Sequence, residues 1–396
     1  MGRENREAKP LPPSARALAE ARQAPSPLVS YALKGLQRLW MPARKRYASI
    51  HRLDSAAALG DANLSRPRSD AFYTLNVLLG ASRLPPEHRP PIDIQEVYRD
   101  CCIELANNQL MPYAYGMALW AGAALDLDPP PPLIDRIRSS LLSATAIRAM
   151  TAQDVAMLAS GVAATAIGEG GAWRAAADDL VATLRTRYFH PQTGLFFNQE
   201  TRFRRRFSSF ASQVYAMLAL YHYGDAFGAD WAIRVANAGA AKVISLQGAR
   251  GEWGWFYGVP SGRVVDFYEI YSVHQHGMAP AFLHEAAAHG VAGARDSLVK
   301  GFHWLFGDNE MGVSMLYPEK HMFYRSQVRA REFDTTLVRG CRSMVNALFG
   351  RSDRPDRHGA LSLRRECRSY ELAWILWSFA GRSDYPELTE REQFGV

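Results

Sequence analysis

From about residue 66 onward, stretches with apolar side chains at helical spacing alternate with short breaks of Gly, Pro and Asp. The pattern predicts helices near 69–81, 92–109, 112–125, 131–144, 150–167, 172–188, 208–224, 229–245, 276–289, 293–306, 334–349 and 366–380. Many carry small residues on one side, as in Gly116-Met-Ala-Leu-Trp-Ala-Gly-Ala-Ala124, which lets helices approach closely. Hairpins recurring at roughly 40–50 residues predict an all-α fold, either an (α/α)6 toroid or an open solenoid. The connections at 189–207, 246–275 and 307–333 are much longer than the rest. Unequal loops fit a toroid, complete or incomplete, whose loops at one end have grown into a cleft. In the second of them a period of two replaces the helical period, predicting a small β-hairpin near 253–268 around Gly258-Val-Pro-Ser-Gly262.

Ahead of this rhythm, Leu28, Ala32, Leu36 and Leu39 form a stripe with Trp40 beside it, predicting a helix over 28–41 that Pro42 ends. Arg44-Lys-Arg46 follows. Such a helix either packs on the body or lies on anionic lipid. Residues 1–27, rich in Pro, Ala and Arg, are expected to lie outside the ring. The expected division is a basic N-terminal arm and helix, 1–46, and a toroid domain, 47–396.

The net charge of +7 is local. Residues 1–50 hold 10 Lys/Arg and 3 Asp/Glu, a difference of +7, so the remaining 36 basic and 36 acidic residues balance. A basic arm on a neutral body argues against a nucleic-acid partner and leaves peripheral membrane contact through the arm as a reading. The first residues lack the apolar core of a signal peptide, and no run of about 18 apolar residues could span a bilayer. Four cysteines, including the adjacent Cys101 and Cys102, contain no Cys-x-x-Cys pair. The expected location is cytoplasmic, with a peripheral place at the inner membrane face as its variant. No Gly-rich phosphate loop, nucleophile elbow, kinase signature or zinc-finger spacing is present, so no cofactor or metal is expected.

Candidate chemistry concentrates in 247–280. Trp253, Trp255 and Tyr257 alternate as on a strand and would share one face, as a platform for a sugar ring or as a core plug. Glu252, Asp266 and Glu269 supply three carboxylates around the hairpin. Glycoside hydrolysis needs two across the scissile bond; pairing with Arg250 or Arg263 is the structural alternative. His274 and His276 flank Gln275 at a helix entrance, where one of them can act in acid–base chemistry, bind substrate, or hold a neighbouring loop. As a lone His-x-His pair they carry little metal signal. Arg202, Arg204, Arg205 and Arg206 could meet an acidic glycan or form a solvated face. Glu371 opens the last long helix, where it faces the axis or serves the helix dipole.

Gln247-x-x-x-Gly251-x-Trp253 resembles the Gln-x3-Gly-x-Trp motif of triterpene-cyclase-like toroids, in which the glutamine and tryptophan tie neighbouring helices together. Their Asp-x-Asp-Asp motif is absent; Asp126-Leu-Asp128-Pro lacks its last aspartate. The stretch Gly251–Pro280, with Gly-Glu-Trp-x-Trp-x-Tyr and Tyr-Ser-Val-His-Gln-His, resembles (α/α)6-toroid proteins of bacterial glycan metabolism. These include glycoside hydrolases, unsaturated-uronyl hydrolases and polysaccharide lyases. The resemblance implies an oligosaccharide or polysaccharide substrate. It also implies a lyase-type set of Tyr271, His274 and Gln275, and Tyr324 and Arg325 reaching back into the cleft. A toroid enzyme acting on isoprenoids at a membrane, and a non-catalytic helical binding protein, are the alternative readings.

Overall fold

A computed structural model describes residues 24–54, 67–108, 111–199, 206–330, 336–355 and 359–395. The basic arm's first 23 residues and Arg202, Arg204 and Arg205 lie outside the described residues.

Six helices form an inner ring: Pro67–Ala81, Pro112–Leu125, Ala152–Glu169, Phe210–Phe227, Ala279–Ala288 and Ser369–Phe379. Each packs on the next, and the last packs on the first, which closes the ring. Local chemistry sets their starts. Pro112 sits at a first helical position, where a missing N–H costs nothing, Thr151 and Asp154 form a capping box, and the Ser209 side chain caps the fourth. The small faces make the closest approaches. A Cβ at Gly116 would strike the Met157 backbone, one at Gly161 would strike Gly116, and one at Gly80 would strike Ala373 at the closing contact. The fold is an all-α toroid, as the periodicity predicts.

An outer layer backs the ring. Ile94–Asn107, Gly171–Thr183, Asp230–Ser245 and Ala294–His303 each follow and pack on an inner helix, and Pro131–Ser140 joins through Ile94–Asn107. The sixth outer helix is Pro27–Leu39, which packs on Ser369–Phe379. Its stripe is buried as predicted: Leu28, Ala32, Leu36 and Leu39 are in the core, and Tyr31 donates to the Met322 carbonyl at 2.7 Å. Of the two readings of this helix, packing on the body is the one the fold adopts. The stripe is spent on the ring and is not available to lipid. The 334–349 segment, which forms Thr336–Leu348, packs instead on strands Phe256–Gly258 and Arg263–Asp266 at one end of the ring.

The hairpin exists, but it is shorter than expected and is not isolated. Phe256–Gly258 pairs with Arg263–Asp266 and also with Phe207–Ser209. A second three-stranded ladder joins Ile270–Tyr271, Ser326–Arg329 and Leu361–Arg364. The three long connections therefore knit into two small sheets over one end of the toroid. Among the described residues no helix is long and apolar enough to cross a membrane.

Candidate functional site

A cavity of about 220 Å³ opens where the inner helices begin. Phe72, Tyr73, Tyr113, Gln153, Ala211, Tyr215 and Tyr370 come from the first two turns of five inner helices, while His274 and Met278 come from the π-helical turn that leads into the sixth. Trp255, Tyr271 and Arg325 come from the loop sheets and complete the wall. Helix N-termini carry partial positive charge and unpaired N–H groups, so this pole favours an anionic or oxygen-rich ligand. Single π-turns are rare in helices and frequent at functional sites.

The wall is set from outside. Ladder pairing puts Tyr271 opposite Ser326, so the neighbouring Arg325 guanidinium lies over the Tyr271 ring, 4.7 Å from its centroid. Ser272 fastens the corner by donating its N–H to the Arg325 carbonyl at 2.8 Å and its hydroxyl to the Tyr324 carbonyl at 2.5 Å. Arg325 is itself buried and held by Glu371 at 2.9 Å and Glu366 at 3.2 Å. Burial opposes its charge; Tyr370, Tyr271, Glu371 and Glu366 more than offset that, so it stays protonated. Arg368 binds Glu366 at 3.1 Å and donates to the Tyr73 hydroxyl at 3.0 Å. Burial pushes Glu371 up to about 7 against the pull of Arg325 and Arg368.

His274 is buried against Phe210 at 4.5 Å, Tyr271 at 5.1 Å and the stacked Trp255 at 6.1 Å. Burial, then the charge of Arg325, pushes it down to about 3, so the imidazole is unprotonated at pH 7 and is a base weakened by its surroundings.

Of the described residues singled out in the sequence, Trp255, Tyr271, His274 and Arg325 line the cavity; the other described ones do not. Trp253 and Tyr257 are wholly buried, Trp253 between Phe210 and Phe282. They share no face with Trp255 because the strand begins only at Phe256 and its register slips between Phe256 and Tyr257. Asp266 accepts from Arg329 at 2.9 Å, Arg342 at 3.0 Å and Ser343 at 2.9 Å. Glu269 binds Arg364 at 2.9 Å and the Ser326 hydroxyl. Both are sheet fasteners away from the wall, with partners other than Arg250 or Arg263. Glu252 folds back on its own turn and accepts the Arg250 N–H at 2.8 Å; burial, then the charge of Glu310, pushes it up to about 7. Gln275 is buried beside Gly301, and His276 is buried against Phe323 at 4.5 Å. Tyr324 stands next to Tyr317 at 5.6 Å. The Gln247 motif does structural work: its amide donates to the Gly251 and Ser297 carbonyls, both at 2.9 Å, tying the loop to the Ala294–His303 helix.

Tyr73, Tyr113, Gln153, Tyr215 and Tyr370 were not singled out. Their common signal is an aromatic or amide side chain in the first two turns of alternate apolar helices. In a closed ring those turns converge at one pole.

No family model matches the chain, and no curated protein matches it by sequence. Solved structures do match. A cellobiose 2-epimerase from Bacillus thermoamylovorans B4167 aligns with TM-score 0.61 and 11% identity over 93% of this chain and 100% of that one. A polysaccharide lyase aligns with TM-score 0.53 and 12% identity over 94% and 98%. A glycosyl hydrolase family 88 protein from Bacteroides vulgatus aligns with TM-score 0.53 and 10% identity over 90% and 97%. At these identities the likeness establishes the (α/α)6 toroid and nothing finer.

Proposed function

We propose that this chain is a carbohydrate-active enzyme whose reaction begins with removal of a proton from a sugar carbon, most simply a glycan lyase. The observation that carries the reading is the makeup of the wall: tyrosines, a neutral histidine and a buried arginine, with no carboxylate among its described residues. Hydrolysis of a glycoside by the usual route needs two carboxyl groups flanking the bond. Elimination needs a base, an acid and a positive charge near the enolate. The epimerase, lyase and hydrolase names of similarly folded proteins support a glycan substrate in general.

In this reading His274 takes the proton from the carbon next to a carboxyl or carbonyl group. Tyr271 donates its hydroxyl proton to the departing glycosidic oxygen as the C–O bond breaks. The Arg325 charge, fixed behind Tyr271, stabilises the negative charge that develops between these steps. Trp255, Phe72 and Tyr113 offer faces on which sugar C–H groups pack. The Glu366–Glu371–Arg368 cluster keeps Arg325 in place.

The test is a panel of neutral and uronate-containing polysaccharides, read by ultraviolet absorbance of unsaturated ends and by total reducing ends. The reading expects both signals to rise together on an acidic glycan and both to disappear in His274→Ala. Reducing ends without unsaturation, or an undiminished His274→Ala variant, would overturn it. A second reading, a glycan-binding protein without turnover, is favoured by the pairing of Asp266, Glu269 and Glu371 with arginines. Binding by calorimetry with neither product signal would support that instead.

A further inference from the structure

The Thr336–Leu348 helix has an apolar row that no described residue covers. Cys341, Val345, Leu348 and Phe349 fall at helical spacing, and all four are exposed, Val345 by 43%, Leu348 by 41% and Phe349 by 70%. Among the exposed large apolar side chains of the described residues, these last three are the ones that adjoin in sequence. The opposite side of the helix is spoken for: Ser343 and Arg342 bind Asp266, and Asn346 donates to the Val265 carbonyl at 2.9 Å.

The surroundings of this row are basic. The Arg351 guanidinium lies 5.3 Å from the Phe349 ring centroid, and Arg263 donates to the Gly350 carbonyl at 3.2 Å. Arg206 stands two strands away, since Phe207 pairs with Gly258 and Gly258 with Arg263. The described segments 206–211, 256–265 and 341–355 expose Arg206, Arg263, Arg351 and Arg354. Their single carboxylate, Asp353, is bound to Arg329 at 2.8 Å. Among the described residues of these segments the patch therefore presents hydrocarbon at its centre, cations around it and no free anion.

We infer that this face docks on an anionic lipid surface, with Phe349, Leu348 and Val345 entering the interface and Arg206, Arg263 and Arg351 meeting the headgroups. An acidic polysaccharide would use the arginines but gains nothing from exposed Val and Leu. A lipid interface uses both. The helix packs on the strand that Trp255 precedes, so docking there holds the cavity mouth beside the membrane. This inference does not rest on the chemistry assigned to the cavity.

The experiment is flotation of the full chain with vesicles of phosphatidylcholine alone and of phosphatidylcholine with phosphatidylglycerol, at two salt concentrations. Binding should need phosphatidylglycerol, weaken with salt, and fall by about tenfold or more in F349S/L348S and in R263Q/R351Q. Thermal midpoints should stay near the parent value, because these side chains are exposed. Variants that bind like the parent would overturn the inference and assign the binding to the basic N-terminal arm, which all of them keep. Absence of vesicle binding, retention on a soluble acidic polysaccharide but not on vesicles, or a dimer in light scattering that F349S dissolves would each overturn it too.

Discussion

Asp266 and Glu269 are separated from Tyr271 and His274 by a few residues of chain and by the company they keep. The carboxylates point into a belt of arginines: Arg329 from the third long connection, Arg342 from the helix after it and Arg364 from the strand Leu361–Arg364 beyond. Tyr271 and His274 point at the cavity, where Arg325, from the same connection, stands behind them. That connection thus gives one cation to each region: Arg329 meets Asp266 and Asp353 in the belt, whereas Arg325 is held by Glu366 and Glu371 on one side and lies over the neutral Tyr271 ring on the other. The difference explains why the mouth tolerates so much buried charge: fixing two long loops by paired ions leaves the wall to uncharged acids and bases, which can exchange protons with a substrate without first breaking a salt bridge.

The sharpest way to break this comparison is to exchange the expected consequences. His274→Ala should lower turnover by about 10²–10⁴-fold, the usual effect of removing a general base, with the thermal midpoint little changed. Asp266→Ala should do the reverse. It takes from Arg329 and Arg342 the buried carboxylate they share, although Arg329 keeps Asp353, and breaking a buried pair costs about 3–5 kcal/mol. Chemical denaturation should show that loss, and any remaining folded protein should keep its activity per folded molecule. If Asp266→Ala proved stable but inactive, the belt and the wall would have to trade places.

Much of the ring was legible because a helix buried on one side must repeat its apolar residues, and because Pro112, Thr151 and Ser209 mark starts that local chemistry alone dictates. What was not legible is which amphipathic helix completes it. Both 28–41 and 334–349 read as helices, but only the contact with Ser369–Phe379 distinguishes the twelfth ring helix from one on the end sheet. The same limit applied at the site. Trp255 was legible as a candidate, but its separation from Tyr257 depends on a register slip, and Asp266 meets partners 63 and 76 positions away. Spacing along the chain carries neither fact.

A subtler measurement concerns the Glu371 carboxyl, which supports the wall from within. Burial raises it from an ordinary value of 4.5 to about 7. The folded state therefore holds its proton over a range in which the unfolded chain has lost it. Its contribution to stability is fully present below about pH 4.5 and is lost as pH rises through about 7, on the order of 1.4 kcal/mol per pH unit within that window. Glu252 is raised to about 7 as well and adds a slope of the same sign. Buried histidines held neutral, His274 and His276 among them, add a slope of the opposite sign below about pH 6.5, so the quantity to follow is the difference between parent and variant. The stability of the parent relative to Glu371→Gln should fall as pH rises from about 4.5 to about 7, and a difference that does not change with pH would remove Glu371 as its source.

The smallest expected effect falls where belt and wall touch. Tyr73 lines the cavity, yet its hydroxyl also accepts from Arg368, which in turn binds Glu366 and so belongs to the cluster behind Arg325. Tyr73→Phe keeps the ring and its contact with Tyr370 at 5.2 Å and removes only the acceptor. Arg368 retains Glu366, so no charge is stranded, and the loss should be that of one hydrogen bond, about 0.5–1.5 kcal/mol. Turnover should fall less than in His274→Ala, because the hydroxyl holds an arginine and takes no proton in the proposed elimination. A loss of turnover as deep as that of His274→Ala, at nearly unchanged stability, would move Tyr73 from the supporting cluster to the reacting groups and make it, rather than Tyr271, the acid.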